Sequence, residues 1–486
     1  MNKSSWGFYG RVQELADLAT VLGRGRWFFL KISGRRRIGK TTLIRQALDA
    51  SGRDRVVYVQ VPDSDPTGVV SAARDFFDTF GVSDLQPNNL KGLAAAIGTL
   101  VRRGYIVALD EFQYFHRKQL FPFTSYLQSE VDQLSAAAEK VSGGLIVLGS
   151  LHTEMTALLE DRSAPLFNRT TDDIDLGHLD VASVLEILRV HADDTPERLL
   201  FLWNLFEGVP KFYRDCYEQE VLGSERTAVL EKLFFSSSSP LRTEADNWFL
   251  GELRGRYDPV LKYVARHPGC NNADVLAHIG SVEPERKKQV GGYLKVLDEK
   301  YHMIERRQPI FARPRSRNAR FYLRDNFLRS WLGALSTAVS SVNFKPVDIL
   351  VHDADQRLEV AEGYGLERLA AALYEERSKK NIGDFSLDHM VHGYWDRADT
   401  EIDLVAIDES DKRMRIGTCK RSPQRLIGDL ANFAGHAARF LANFPRFDSW
   451  TVEKVAIAPR HSSETRRACE RQGFLPQDLG DLTAGL

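Results

Sequence analysis

Two short stretches carry residue types that do chemistry together: Gly34 to Thr41 (GRRRIGKT) and Leu109 to Gln113 (LDEFQ). In the first, a glycine, four residues and then Gly-Lys-Thr follow the apolar run Trp27 to Ser33 and precede the helical spacing of Leu43, Ile44 and Leu48. A loop between a buried strand and a helix N-terminus is where backbone N–H groups and the helix dipole converge on an anion. Gly34 and Gly39 permit the loop's backbone, Lys40 reaches β- and γ-phosphates, and the Thr41 hydroxyl ligates Mg²⁺, with Thr42 next along the first turn. In the second stretch, Tyr105 to Leu109 reads as a buried strand ending in two acids. Asp110 is expected to complete the Mg²⁺ shell and Glu111 to polarise an attacking water, which points to hydrolysis of a nucleoside triphosphate.

Those residues need a parallel sheet to hold them. Further strands are read at 55 to 61 (RVVYVQV) and 144 to 150 (GLIVLGS), and Ser150 falls where a polar group senses the γ-phosphate. Arg169, with Arg162 as the second candidate, is read as a phosphate contact, in cis or to a neighbouring copy's nucleotide. Residues 181 to 234 show apolar residues at helical spacing, for example Val184, Leu185 and Leu188, and are expected to form a helical lid. The polar stretch 235 to 240 (FSSSSP) reads as a flexible domain boundary.

The order of FYGRVQEL, GRRRIGKTTL, LDEFQ, LGS, PLFNR and GVPKFY resembles the archaeal-type ATPase family, a branch of the AAA-related and STAND P-loop ATPases. The likeness covers about the first 235 residues. It implies ATP as ligand, with Tyr9, Gly10 and Arg11 bordering the base and Pro210 closing over it from the lid. Read from the residues alone, these are a turn and a helix-breaking proline.

Beyond the serine stretch, a helix at 258 to 267, a helix from near Asn272, a turn at Gly280 and a longer helix from Glu283 to about Glu299 read as a helix-turn-helix with a following β wing. Arg286, Lys287 and Lys288 open the longer helix, and six arginines with a single acid, Glu305, lie between His302 and Arg320. This basic strip, including Arg306 and Arg307, suits DNA phosphates; the alternative is a protein-interaction module whose charge balances acidic neighbours.

The segment RFYLRDNFLRSWLG, 320 to 333, resembles the one by which the same family joins a C-terminal domain of unassigned function. A helix at 358 to 376, strands at 384 to 395, 401 to 407 and 413 to 419, a helix at 423 to 440, then a strand and a helix follow. With Glu367, Asp403 and Lys420 this order is similar to the PD-(D/E)xK nuclease core, in which acids converge on Mg²⁺ beside a lysine. The pattern demands an acid at 418, and the chain has Thr418; Glu401, on the same face as Asp403, is the candidate substitute. An active nuclease, an inactive nucleic-acid-binding relic and a purely structural domain are all open readings.

The expected architecture is thus α/β: a P-loop ATPase sheet (1–180), helical lid (181–235), winged helix-turn-helix (241–325) and nuclease-like domain (326–486). Composition sets bounds rather than roles. The 486 residues are 43% hydrophobic and 27% charged with a formal net charge of -1, so bulk electrostatics favour neither nucleic acid nor membrane. No apolar run approaches membrane-spanning length and no signal-peptide core opens the chain, so a cytoplasmic location is expected. The four cysteines form no C-x-x-C pair and the histidines no H-E-x-x-H, which argues against a zinc site. A signalling scaffold acting through protein partners or a homo-oligomer is the rival functional reading.

Overall fold

The computed structural model describes residues 5–150, 152–245, 255, 257–282, 284–313, 316 and 318–486. The chain divides into two compact units, Gly10–His178 and Leu179–Leu486, the second including the residues up to Tyr9.

The first unit is a parallel sheet. Its strands β1 (Phe28–Ser33), β2 (Val56–Gln60), β3 (Ile106–Asp110), β4 (Gly144–Leu148) and β5 (Asp172–Asp175) lie in the order β2-β3-β4-β1-β5. All four pairings are parallel. Parallel strands covered on both faces read as unbroken apolar runs, as FFLKIS, IVALD and GLIVL do, and every residue of these three is buried. Helices α1 (Val12–Gly23), α2 (Lys40–Ala50), α3 (Pro66–Thr79), α4 (Leu90–Arg102), α5 (Pro122–Ala136) and α6 (His152–Leu159) connect and flank them. Their starts are set locally: Asp65 caps α3 by accepting from Gly68 N–H, Asn89 caps α4 through Gly92 N–H, and Pro122 opens α5. Because the strands are parallel, the ends of β1, β3 and β4 face one edge, the edge where α/β sheets bind ligands.

The second unit begins with α7 (Val181–His191), α8 (Pro196–Phe206), α9 (Pro210–Glu218) and α10 (Arg226–Leu230). The serine stretch expected to be a flexible break is ordered instead. Phe234 and Phe235 are buried, Ser236 N–H and the Ser239 hydroxyl bond back to Glu231 O, and Leu241 N–H donates to Leu233 O. Serines here satisfy the carbonyls that a helix end leaves open, so polarity signals a cap and not a linker.

Next come α11 (Asp258–Arg266), α12 (Asn272–Val282), a 3₁₀ turn at Pro284–Gln289 and α13 (Val290–Glu299). Helix α12 runs through Gly280, where a turn was expected, and the expected start Glu283 lies outside the described residues. The 3₁₀ turn occupies Pro284–Gln289, so α13 starts at Val290. Strands β6 (Ile304–Arg307) and β7 (Arg320–Leu323) then pair antiparallel.

After α14 (Asn326–Ser330) and α15 (Ser336–Val339), helix α16 spans Val347–Lys379, 33 residues, well beyond the 358 to 376 expected. Strands β8 (His392–Trp395), β9 (Glu401–Asp408), β10 (Arg413–Cys419), β11 (Thr451–Ala458) and β12 (Leu475–Asp478) form a mixed sheet in order β12-β11-β10-β9-β8. Helices α17 (Pro423–Asn443), α18 (Ser463–Arg471) and α19 (Leu479–Thr483) complete it. The strand expected from 384 is confined to His392–Trp395. Gly383 takes a left-handed turn, and Asp384 leaves the strand path to meet Arg415 at 2.7 Å. Helix α16 is locked to the start of the unit: Glu376 accepts from Val181 N–H (2.7 Å) and Ala182 N–H (3.0 Å), supplying the N-terminal acceptors of α7.

Candidate nucleotide site and a second acid cluster

Gly34 and Gly39 stand where no other residue fits well. Gly34 has φ 146°, and a Cβ there would lie 2.6 Å from Leu176 O; Gly39, at φ 97°, caps α2. The loop between them wraps the Lys40 ammonium, which donates to Gly34 O (2.8 Å) and Arg35 O (3.0 Å). Burial drives this lysine down to about 8, against the opposing fields of Glu111, Asp110 and Asp175. The ammonium is thereby largely desolvated and held by loop carbonyls.

Asp110, at the end of β3, is buried and triply held. Its Oδ2 accepts from Thr41 Oγ1 (2.7 Å) and from the Tyr58 hydroxyl, and its Oδ1 accepts from Glu111 N–H (2.8 Å). A hydroxyl and a carboxylate oxygen in contact, beside a phosphate loop, are the hard oxygen donors that suit Mg²⁺. Tyr58 was not among the sequence candidates. The signal was one phenol between Val57 and Val59, and β2 lies beside β3 with Tyr58 paired to Ala108. Burial and then the Asp110 charge push its phenol well up, so it stays a donor.

Glu111 adopts φ 58°, and its Oε2 accepts from Gln113 Nε2. Gln113 Oε1 in turn accepts from Ser150 N–H at 3.2 Å, so the two strand ends read from the sequence are joined by a side chain that was not singled out. Thr42 is exposed on α2, turned away from Thr41.

The arginines fall differently from expectation. Arg11, also left-handed at φ 62°, is buried and donates to Ile38 O (3.2 Å) and Gly177 O (2.7 Å), bracing the phosphate loop from beneath. Arg169 is held by Asp132 on α5 at 2.7 Å, and the cis phosphate contact expected of it does not fit the sheet. The nearby Thr171 N–H bonds to Phe29 O at the start of β1. At about 3.3 Å per residue, that end is roughly 15 Å from the loop at the other. Arg162 is exposed in the turn after α6. Gly10, at φ 64°, opens the first unit. Tyr9 and Pro210 belong to the second unit, where the Tyr9 hydroxyl meets His191 Nε2 at 2.5 Å and Pro210 occupies the first turn of α9.

A second cluster sits where β9 and β10 meet α16. The antiparallel register that pairs Leu404 with Gly417 sets Asp403 opposite Thr418. Asp403 Oδ2 accepts from Thr418 Oγ1 (3.1 Å) and Cys419 N–H (2.8 Å), with Lys420 Nζ at 3.9 Å. Burial, then the Asp403 charge, pushes the Glu367 carboxyl well above the usual range, and burial raises Asp403 as well. Burial opposes the Lys420 charge, but Asp403 and Glu367 together hold it above its ordinary value. Glu401, the candidate substitute for the acid missing at 418, is exposed and pairs with Arg320 at 2.6 Å, and its charge helps to raise both Glu367 and Asp403. Among the described residues no group of three or more His, Cys, Asp or Glu is arranged to hold a metal ion.

The basic strip is partly consumed within the fold. Arg307 pairs with Glu305 at 2.8 Å and covers the Tyr322 ring. Arg320 meets Glu401 at 2.6 Å, whereas Arg306, Arg313 and Lys288 are exposed. Arg315, Arg317 and the side chains of Arg286 and Lys287 lie outside the described residues. Among the described residues no helix is long and apolar enough to cross a membrane.

The strand order, the phosphate loop and the paired acids at the end of β3 define a P-loop ATPase fold in the first unit. Residues 28–149, from β1 through β4, match the model of the AAA domain family, so the chain carries an ATPase-like AAA domain, a family that implies nucleotide binding. An uncharacterised protein of Methanocaldococcus jannaschii is 24% identical over 406 residues, covering 84% of this chain and 85% of that one. A Walker-type ATPase of Pyrococcus abyssi is similar in fold, with TM-score 0.50 and 16% identity over 67% of this chain and 96% of its own. The ORC2 protein of Aeropyrum pernix, solved as ADPNP and ADP complexes, aligns with TM-score 0.45 and 16% identity over 74% and 96% of the two chains.

Proposed function

We propose that this protein binds ATP with Mg²⁺ and hydrolyses it, and that the nucleotide state controls a DNA-binding half. The observation that carries the reading is the contact of Thr41 Oγ1 with Asp110 Oδ2 at 2.7 Å, beside a phosphate loop whose lysine is buried. Lys40 neutralises the β- and γ-phosphates as they replace Gly34 O and Arg35 O around its ammonium. Thr41 and Asp110 would hold Mg²⁺, which when bound offsets phosphate charge. Glu111 accepts a proton from the water that attacks the γ-phosphate, and Ser150 contacts that phosphate. Residues 181–235 are read as a helical lid, and Gly10, beside the loop brace Arg11, as bordering the base.

In the second unit, residues 241–325 are read as a winged helix, with Lys288, Arg306 and the neighbouring Arg286 and Lys287 as phosphate contacts. Residues 326–486 are read as a nuclease-like domain that binds without cutting. The support is chemical: Thr418 donates a hydrogen bond to Asp403 where a second carboxylate would have shared a cation. Mn²⁺-dependent DNA cleavage that disappears in Asp403→Ala overturns the non-cutting assignment.

The decisive experiment measures ATP turnover with and without duplex DNA in the wild type and in Glu111→Gln. Glu111-dependent turnover raised by DNA supports the proposal. Slow, DNA-indifferent turnover with tight nucleotide retention supports a scaffold that acts through protein partners. The internal pairing of Arg307 and Arg320 favours that second reading, because it removes two cations from the strip.

A further inference from the structure

We propose that Gln113 is a positioning residue that makes the orientation of Glu111 depend on the end of β4; this rests on the ATPase reading above. The geometry is a single side-chain bridge. Gln113 Nε2 donates to Glu111 Oε2, and Gln113 Oε1 accepts from Ser150 N–H at 3.2 Å.

The direction of the amide is fixed by chemistry. The Ser150 N–H can only donate, so the atom facing it must be the carbonyl oxygen, and the NH₂ is left for the carboxylate. The side chain has little freedom to turn, being 3% exposed and seated in the 3₁₀ turn Phe112–His116. Gly149 provides its seat. A Cβ at that position would lie 3.0 Å from Gln113 Oε1 and 2.2 Å from Met155 Sδ, so bare backbone is what allows the amide to approach the chain.

The bridge spans neighbouring strands, since β3 and β4 pair with Leu109 opposite Val147. Ser150 is the residue expected to meet the γ-phosphate, and Glu111 the one expected to take the proton. A shift of the β4 end on contact with the γ-phosphate therefore re-aims the carboxylate through one amide. Gln113 neither meets the nucleotide nor takes a proton, so its loss acts on turnover and leaves affinity in place.

The test uses the full chain with Mg·ATP turnover, Mg·ADP affinity and thermal melting, in Gln113→Leu, Gln113→Glu and Glu111→Gln. Gln113→Leu is expected to lower kcat about tenfold or more, with Mg·ADP affinity changed less than about twofold. In Gln113→Glu the introduced carboxyl can donate to Glu111 only while protonated. Its turnover should therefore recover as pH is lowered and collapse as pH rises, a limb absent from the wild type. Wild-type kcat in Gln113→Leu, while Glu111→Gln is inactive, overturns the inference and leaves the ATPase reading standing. Should Gln113→Leu fail to fold, a wild-type pH profile in Gln113→Glu overturns it equally. A wild type that does not hydrolyse ATP, or turnover unaffected by Glu111→Gln, overturns both.

Discussion

Raising the pH during nucleotide binding perturbs one group in the phosphate loop above all. Lys40 in the free protein gives up its proton at about 8, burial outweighing the attraction of Glu111, Asp110 and Asp175. Phosphate oxygens around the ammonium favour its charged form, so the bound protein keeps the proton to a higher pH. The sign follows: above pH 8 the free lysine is neutral, binding must take up a proton, and affinity falls as pH rises. Below that value both states hold the proton and affinity is level. Between pH 7.5 and 9 the expected loss is roughly tenfold, since each unit of differential protonation is worth about 1.4 kcal/mol. The phosphates of ADP titrate below this window, so Mg·ADP titrations by calorimetry or fluorescence read the lysine alone. In Lys40→Arg the guanidinium stays charged, and the slope should vanish even if overall affinity drops. Wild-type affinity that is flat from pH 7.5 to 9, or a slope that survives Lys40→Arg, refutes the reasoning.

Gly34→Ala brings a methyl within 2.6 Å of Leu176 O, and chemical denaturation should show a loss of about 1–3 kcal/mol, together with loss of the thermal shift produced by Mg·ADP. Tyr58→Phe removes one of the three donors to Asp110, and melting should register a cost of about 1 kcal/mol with nucleotide affinity kept. Glu367→Gln should raise the melting temperature at pH 7.5 and give no gain at pH 4. The folded carboxyl titrates above its unfolded value because of burial and Asp403, so ionising it costs the fold increasingly as pH rises. Equal melting temperatures for this variant and the wild type at both pH values would mean that the acid cluster is not strained.

What could be read from the sequence was local. A phosphate loop and an acid-tipped strand declare themselves because loop backbone, helix start and strand end are contiguous, and the AAA match spans the same residues. The strands expected at 401 to 407 and 413 to 419 likewise match β9 and β10 to within a residue. Tyr58, Gln113 and the brace made by Arg11 were illegible for the opposite reason: each acts on a partner brought near by strand pairing or by a loop far along the chain. For Arg169 the residue type was legible, whereas its partner Asp132 on α5 was set by the fold. The serines at 236 to 239 misled because a helix cap and a linker share a composition.

Helix α16, at about 1.5 Å per residue, is a rod about 50 Å long. Its early turns take Arg226 through Asp355 and Glu362, its middle carries Glu367 to the acid cluster, and its last turns close over α7. Glu362 is also gripped by Arg421, the neighbour of Lys420. Among the described residues this helix ties the parts of the second unit together: a gene cut between residues 240 and 346 would strand its apolar side, Leu358, Leu366, Leu369 and Leu373, on one fragment without its cover. Fragments for expression, and grafts onto other ATPase cores, should keep residues 179–486 as one piece.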